Sequence, residues 1–259
     1  MQNILKIAFT LLLHITVIAA YAQKLPNKQE ISLRAPADIK IDGKTKEWDN
    51  KFQAYNHATD IFYTLSNDDA NLYLTIQVTK HEIFWNLIRG GITFSVDRSG
   101  KNKDEMSIKY PIFSNTLPPI KTSSQHGESP WSVAQRDSIV LRNNKTLDEK
   151  SKYIEVKGIT GIDSLISVYN EDGIKVAEAF DNNMNYNYEL AIDLKRLGLS
   201  TNDAKKFAYH IIINGSDAII QQTQIIYNNG GIQPTIAGRM TPPTPTTDFW
   251  AEYTLANKP

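Results

Sequence analysis

The sequence predicts an all-β protein: an antiparallel β-sandwich, jelly-roll-like, of about ten or more strands with one or two short helices. Three observations lead there. Apolar and polar residues alternate with a period of two over much of the chain: Leu72, Leu74, Ile76 and Val78 fall on one side of a strand, and Tyr73, Thr75, Gln77 and Thr79 on the other. Turn formers punctuate these runs at Asn67-Asp68-Asp69, Ser99-Gly100, Glu171-Asp172-Gly173, Asp181-Asn182-Asn183 and Asn228-Asn229-Gly230-Gly231. Helix-period patterns are few and short.

In chain order, residues 1–22 carry the marks of an export signal. Lys6 supplies a positive start, Ile7 to Ala20 an apolar stretch, and Ala20-Tyr21-Ala22 a small-residue cleavage site. The apolar stretch is shorter than the roughly 20 residues a bilayer span needs, and no cysteine follows it to take a lipid. The expectation is an exported protein, periplasmic or extracellular. Residues 23–34 read as an N-terminal extension and 35–259 as the sandwich. Its strands are expected at Phe62–Leu65, Leu72–Val78, Ile92–Val96, Ser107–Ile112, Tyr153–Val156, Leu165–Tyr169, Ile174–Phe180, Tyr186–Leu194, Phe207–Asn214, Ile219–Tyr227 and Phe249–Leu255. Ser129-Pro130-Trp131 resembles a cap followed by proline at the first helical position, opening a helix toward Leu141 or Glu149. Leu194–Leu197 before Gly198 can form a single turn. Ser114–Ser129 and Asn228–Thr247 read as long loops, a common home for binding residues.

Composition narrows the function. Twenty-eight Lys and Arg balance 28 Asp and Glu, so no basic field draws in a phosphate backbone, and nucleic acid is not an expected partner. With no cysteine, thiolate metal sites, thiol catalysis and disulfides are excluded, and stability falls to the apolar core. No G-x-S-x-G, phosphate-loop or dinucleotide motif occurs. The histidines at 57, 81, 126 and 210 form no i, i+4 pair for zinc. Asp97-Arg98-Ser99-Gly100-Lys101-Asn102-Lys103-Asp104-Glu105 has oxygen donors around a glycine, but lacks calcium-loop spacing and holds three cations.

One constellation points further. Ile39-Lys40-Ile41-Asp42-Gly43-Lys44-Thr45-Lys46-Glu47-Trp48 is a short alternating run that enters an Asp-Gly turn and closes on tryptophan. Asn67-Asp68-Asp69-Ala70-Asn71-Leu72-Tyr73-Leu74 is an acidic turn that feeds a strand. Together they resemble the opening of the family 9 carbohydrate-binding modules. Gly91–Asp97, Tyr188–Leu194, Phe207–Asn214 with Gly215-Ser216-Asp217, and Phe249–Ala256 extend the resemblance, in order, over about residues 35 to 256. The stretch from Ser114 to Lys152 is longer than the compact form of such modules, and no hydrolase accompanies this one. The resemblance implies a β-sandwich that binds a polysaccharide or oligosaccharide, a link to carbohydrate catabolism and, as an open point, a structural calcium. Related DOMON sandwiches carry haem, but no Met–His spacing in this chain supports that.

Sugar binding calls for an aromatic face for the C–H side of a pyranose, with polar groups for its hydroxyls. Candidates are Trp131 beside the long polar loop, Trp85 after Phe84, the strand pair Tyr186 and Tyr188 flanked by asparagines, and Asn214 at a strand end. Trp48 and Trp250 are read as packing residues. Paired carboxylates for a glycoside hydrolase are not marked out, so no catalytic residue is expected. The alternative to a glycan-binding module is a protein-interaction module that keeps the sandwich without the sugar site.

Overall fold

The structure is a computed structural model that describes residues 24–49, 51–113, 119–123, 130–203, 205–217, 219–221, 225–226, 235–236 and 239–258. The stretch read as an export signal, most of Ser114–Ser129 and part of Asn228–Thr247 lie outside the described residues.

Eleven strands form two antiparallel sheets, so the sandwich expected from the sequence is what the chain adopts. The first sheet contains β1 (Ala54–Asn56), β2 (Ile61–Asn67), β3 (Asn71–Val78), β8 (Ile174–Phe180) and β9 (Tyr186–Asp193), in the order β1-β2-β3-β9-β8. The second contains β4 (Ile92–Asp97), β5 (Met106–Tyr110), β6 (Tyr153–Lys157), β7 (Leu165–Ser167), β10 (Phe207–Ile213) and β15 (Thr247–Tyr253), in the order β15-β10-β4-β5-β6-β7. Within the stretch expected as a strand from Ile219 to Tyr227, β11 (Ile219–Gln221) and β12 (Ile225–Ile226) stand on either side of residues 222–224, which lie outside the described residues. The two strands pair with β14 (Arg239–Thr241) and β13 (Thr235–Ile236), in a region read from sequence as loop.

The two sheets bury their apolar faces against each other. Leu65, Leu74, Ile76, Leu190 and Ile192 of the first meet Phe94, Val96, Ile108, Tyr209 and Ile211 of the second, and all are essentially sealed from solvent. Each such side chain contributes roughly 1.5–3 kcal/mol of burial free energy. At the centre the Tyr63 and Tyr209 hydroxyls meet across the sandwich at 3.0 Å, so the polar tips of two buried rings satisfy each other.

Two helices close the ends. Helix α1 (His81–Gly90) carries the chain from β3 to β4 and buries Phe84, Leu87 and Ile88 in the core. The sequence analysis assigns its segment to no element. Helix α2 (Val133–Lys150) begins later than the Ser-Pro-Trp signal suggests. The cap is Ser132, whose hydroxyl accepts from Gln135 N while the Gln135 side chain accepts from Ser132 N, a reciprocal capping box. Two consecutive asparagines then fix it. Buried Asn143 bonds both backbone groups of Lys121, at 3.2 and 2.7 Å. Asn144 bonds both backbone groups of Phe180, at 2.7 and 3.0 Å, at the open edge of β8.

The outer face of the first sheet is polar but not wet. Thr64, Ser66, Thr75, Gln77, Asn187 and Glu189 are all buried, beneath the segment that precedes β1. Gln29 bonds the backbone of Leu65 through both ends of its amide, at 2.7 and 2.8 Å. Asp42 and Gly43 donate their N–H groups to Glu189 Oε2 at 3.0 and 2.9 Å. Thus two stretches that carried the family resemblance, nearly 150 residues apart, are in direct contact. Gly43 has φ +76°, and a Cβ there would lie 2.7 Å from the Glu178 carbonyl carbon, so only glycine fits.

Candidate functional site

The second sheet ends at β15, whose outer edge is paired with no strand among the described residues. Residues 28–32 run beside that edge and leave a groove of about 550 Å³ between them. Its floor and walls include Trp250, Glu252, Asn102, Lys206 and Ser32. Strand alternation explains the exposure of Trp250: Phe249, Ala251 and Tyr253 point into the core, and Asp248, Trp250 and Glu252 point out.

Trp250 stands directly opposite His210 in the β10–β15 register. The two rings are stacked, 4.2 Å between centroids with 18° between planes. His210 is itself clamped from both sides. Asp104, from the loop after β4, lies 2.9 Å from Nδ1, and Asp248 lies 2.7 Å from Nε2. Whichever nitrogen carries the proton, the imidazole is fixed in place and the indole laid on it is fixed too. Asn102 makes no side-chain hydrogen bond, and the Trp250 indole N–H has no protein acceptor among the described residues, so both are free for a ligand. Lys206 and Glu252 pair at 3.0 Å with both side chains well exposed. Cations and anions are mixed here, giving a groove with no strong field.

Ser95 is the cross-strand partner of His210 on its other side, and its buried hydroxyl has no partner. Serine next to histidine and aspartate invites a nucleophile reading. The geometry opposes it, because both imidazole nitrogens already face carboxylates and neither faces Ser95.

The residues expected from sequence to bind sugar are scattered. Trp131 is half-buried and lines a separate groove of about 720 Å³ on α2, with Lys121, Gln135, Ser138, Ile139 and Arg142. Trp85, on α1, packs on the core and donates its indole N–H to His81 Nε2 at 3.0 Å. Tyr186 and Tyr188 require correction. Both are wholly buried on the inward face of β9, so they line no groove. Tyr186 donates its hydroxyl to Glu178, and Tyr188 packs against Tyr110 with ring centroids 6.1 Å apart. Asn214 is also structural: its amide nitrogen donates to Gly91 O at 3.0 Å and Thr93 Oγ1 at 2.9 Å, joining the end of β10 to the start of β4. Trp48 is buried, as expected of a packing residue, and its indole nitrogen lacks a partner.

Two carboxyl groups are strongly perturbed. Burial pushes Glu178 up to about 7, against the pull of hydroxyls from Ser151, Tyr186 and Tyr110 that point at its oxygens. Part of the residue reaches the surface, but the carboxyl group itself is enclosed. Burial likewise pushes Glu189 up to about 7; the Asp42 and Gly43 N–H groups oppose this, and the charges of Glu47 and Asp42 add to it. Such shifts often mark active sites. Here one carboxyl faces the interior of the sandwich and the other lies under the Asp42-Gly43 turn, so the two are on opposite sides of the first sheet and cannot act on one substrate.

Among the described residues, no three His, Asp or Glu side chains are grouped to hold a metal ion. In the loop after β4, Asp97 spends its oxygens on that loop: Ser99 N at 2.7 Å, Ser99 Oγ at 2.6 Å and Lys103 N at 3.0 Å. Burial works against its charge, yet these donors hold it down at about 2.

The His210–Trp250 stack escaped the sequence reading, which placed Trp250 in an apolar strand. A usable signal was present. Asp248 and Glu252 lie two residues to either side, so period-two alternation puts the indole on the acidic, outward face. His210 interrupts an apolar strand in the same way. No protein-family model, no curated protein and no solved structure matches the chain.

Proposed function

We propose that the protein is an exported, non-catalytic glycan-binding module that holds a neutral saccharide in the groove along β15, as part of carbohydrate catabolism. The observation that carries it is the indole of Trp250, half-exposed in a polar groove and immobilised by the clamped His210 beneath it. A pyranose offers an apolar C–H face and a rim of hydroxyls. A rigid aromatic ring takes the first at little entropic cost. Asn102, the indole N–H, Lys206 and Glu252 supply donors and acceptors for the second. The mixed charges favour an uncharged ligand over a polyanion.

Affinity electrophoresis of the mature protein through gels containing neutral polysaccharides tests this, with Trp250→Ala and Asn102→Ala as variants. Retardation that Trp250→Ala abolishes, with the fold intact by circular dichroism, supports the proposal. No retardation by any polymer of a broad panel overturns it. One observation favours a protein-interaction module instead: Tyr153, Leu165 and Tyr169, at 53, 54 and 73% exposure, form an apolar patch around β6 and β7. A soluble partner that Tyr153→Ser and Leu165→Ser release, with no glycan retained, would establish that second reading.

A further inference from the structure

We propose that the groove on helix α2 is a second saccharide site of different selectivity, built for an acidic sugar. The occupant is a hexuronate: its ring lies on Trp131, and its carboxylate takes the guanidinium of Arg142 and the ammonium of Lys121.

The groove is rich in donors and poor in acceptors. Lys121, Trp131, Gln135, Ser138 and Arg142 line it above Ile139, and among the described residues no carboxylate does. Neither Lys121 nor Arg142 enters an ion pair among the described residues, whereas Lys145 on the same helix pairs with Glu149 at 3.8 Å, and Lys80, Lys152, Lys157 and Lys206 also have acidic partners. The Gln135 side-chain oxygen is taken by Ser132 N, which leaves its NH₂ group to donate. Ser138 gives its proton to Ala134 O. Its oxygen, with two lone pairs, is the acceptor that remains. An Arg, a Lys and an amide NH₂ lining one groove with an indole suit a carboxylate on a pyranose, and they suit a neutral sugar poorly, since its hydroxyls need acceptors as well as donors. The planar guanidinium fork fits a carboxylate through two parallel hydrogen bonds.

The site is also held in shape. Asn143, wholly buried, bonds the Lys121 backbone and so fixes that lysine relative to Arg142, its own neighbour in the chain. The capping residue Ser132 follows Trp131 directly, and the helix starts at Val133. Buried Val140 and Leu147 seat the helix on the core, and Asn144 ties it to β8. A donor cluster of this kind would be commonplace on a basic protein. Here the chain has no net charge, so no general field draws polyanions to its surface.

The full-length mature protein is run through gels containing polygalacturonate, the same polymer fully methyl-esterified, a sulfated polysaccharide, or no polymer. Retardation by polygalacturonate and not by its ester is expected. Arg142→Ala should weaken binding roughly ten- to hundredfold, as loss of a charge-assisted pair does. Trp131→Ala should abolish it, Trp131→Tyr should restore part, and Trp250→Ala should leave it intact. That last variant separates this site from the β15 groove, so either proposal can fail alone. Equal retardation by acid and ester removes the charge requirement and overturns the proposal. Retardation by the sulfated polymer that ignores Trp131→Ala, with none by polygalacturonate, reduces the groove to surface electrostatics and overturns it too. So does polygalacturonate binding that Arg142→Ala leaves unchanged, or no retardation at all.

Discussion

Glu178→Gln should flatten the pH dependence of stability between pH 4.5 and 7. The Glu178 carboxyl is enclosed by Ser151, Tyr110 and Tyr186 and titrates at about 7 in the folded chain, against 4.5 as its ordinary value. The unfolded chain therefore releases this proton near pH 4.5, while the folded chain keeps it until about 7. Between those limits the folded state holds more protons, so raising the pH favours unfolding. The contribution is fully present below pH 4.5 and is lost by the time pH passes 7. Its size follows from the 2.5-unit difference at 1.36 kcal/mol per unit, about 3 kcal/mol. Glu189, also held at about 7, adds a similar slope. Asp97, held at about 2 against 3.8, acts with the opposite sign but only below pH 4, so it leaves this window clear. Urea unfolding at half-unit steps from pH 4.5 to 8 reads the slope directly. The wild type should lose stability steadily up to about pH 7 and level off above it. Glu178→Gln should lose roughly half as much, since the neutral amide still accepts from a hydroxyl without a charge to bury. A wild-type curve flat from pH 5 to 7.5, or a variant slope equal to the wild type's, would refute the burial argument for this carboxyl.

Three further outcomes concern the framework of the fold. Gly43→Ala should cost several kcal/mol, because φ +76° and a 2.7 Å approach to Glu178 both oppose a Cβ; an unchanged denaturation midpoint would contradict the close contact. Tyr63→Phe removes the hydroxyl that meets Tyr209 at 3.0 Å and accepts from Gln29 N at 2.9 Å, and should cost about 1–3 kcal/mol by chemical unfolding. Leu147→Ala, at a wholly buried position on α2, should lower stability by roughly 2–5 kcal/mol in the same assay.

Much of the sandwich was legible because its period is local. Ile174–Phe180 was read with the bounds it has, and β3, β4 and β9 differ by a residue or so at one end. What alternation cannot say is which polar face meets water. Thr75 and Gln77 stand on the polar side of their strand, yet they are buried with Asn187 and Glu189: Gln77 donates to Asn187 across the strands at 2.9 Å, and Glu189 takes the N–H groups of Asp42 and Gly43, far away in sequence. The error at Tyr186 and Tyr188 has a related cause. Alternation groups them correctly on one face, but tyrosine tolerates either environment, and the buried Glu178 that accepts from Tyr186 lies on another strand. Helix α1 was missed although its apolar residues gather on one side, because it is only ten residues long and five of the six positions from Ile83 to Ile88 are apolar, a short run that a buried strand shows as well.

The buried polar faces also bear on where a ligand can go. In many sandwiches a flat, open sheet face offers the largest platform for an extended polymer. In this chain the outer face of the first sheet is sealed by residues 26–53. The outer face of the second is closed around Ser95, Asp97 and His210, where Asp104 from the loop after β4 bonds the imidazole. Concave surface with free donors and an aromatic ring is then left at the perimeter: along the outer edge of β15, and on α2 where it covers the edge of β8. At the first the indole is steadied by a stacked imidazole in mixed charge, and at the second it shares its groove with Lys121 and Arg142 and with no carboxylate among the described residues. The two grooves therefore call for different sugars, and the Trp250→Ala and Trp131→Ala variants should lose different ligands rather than weaken one in common.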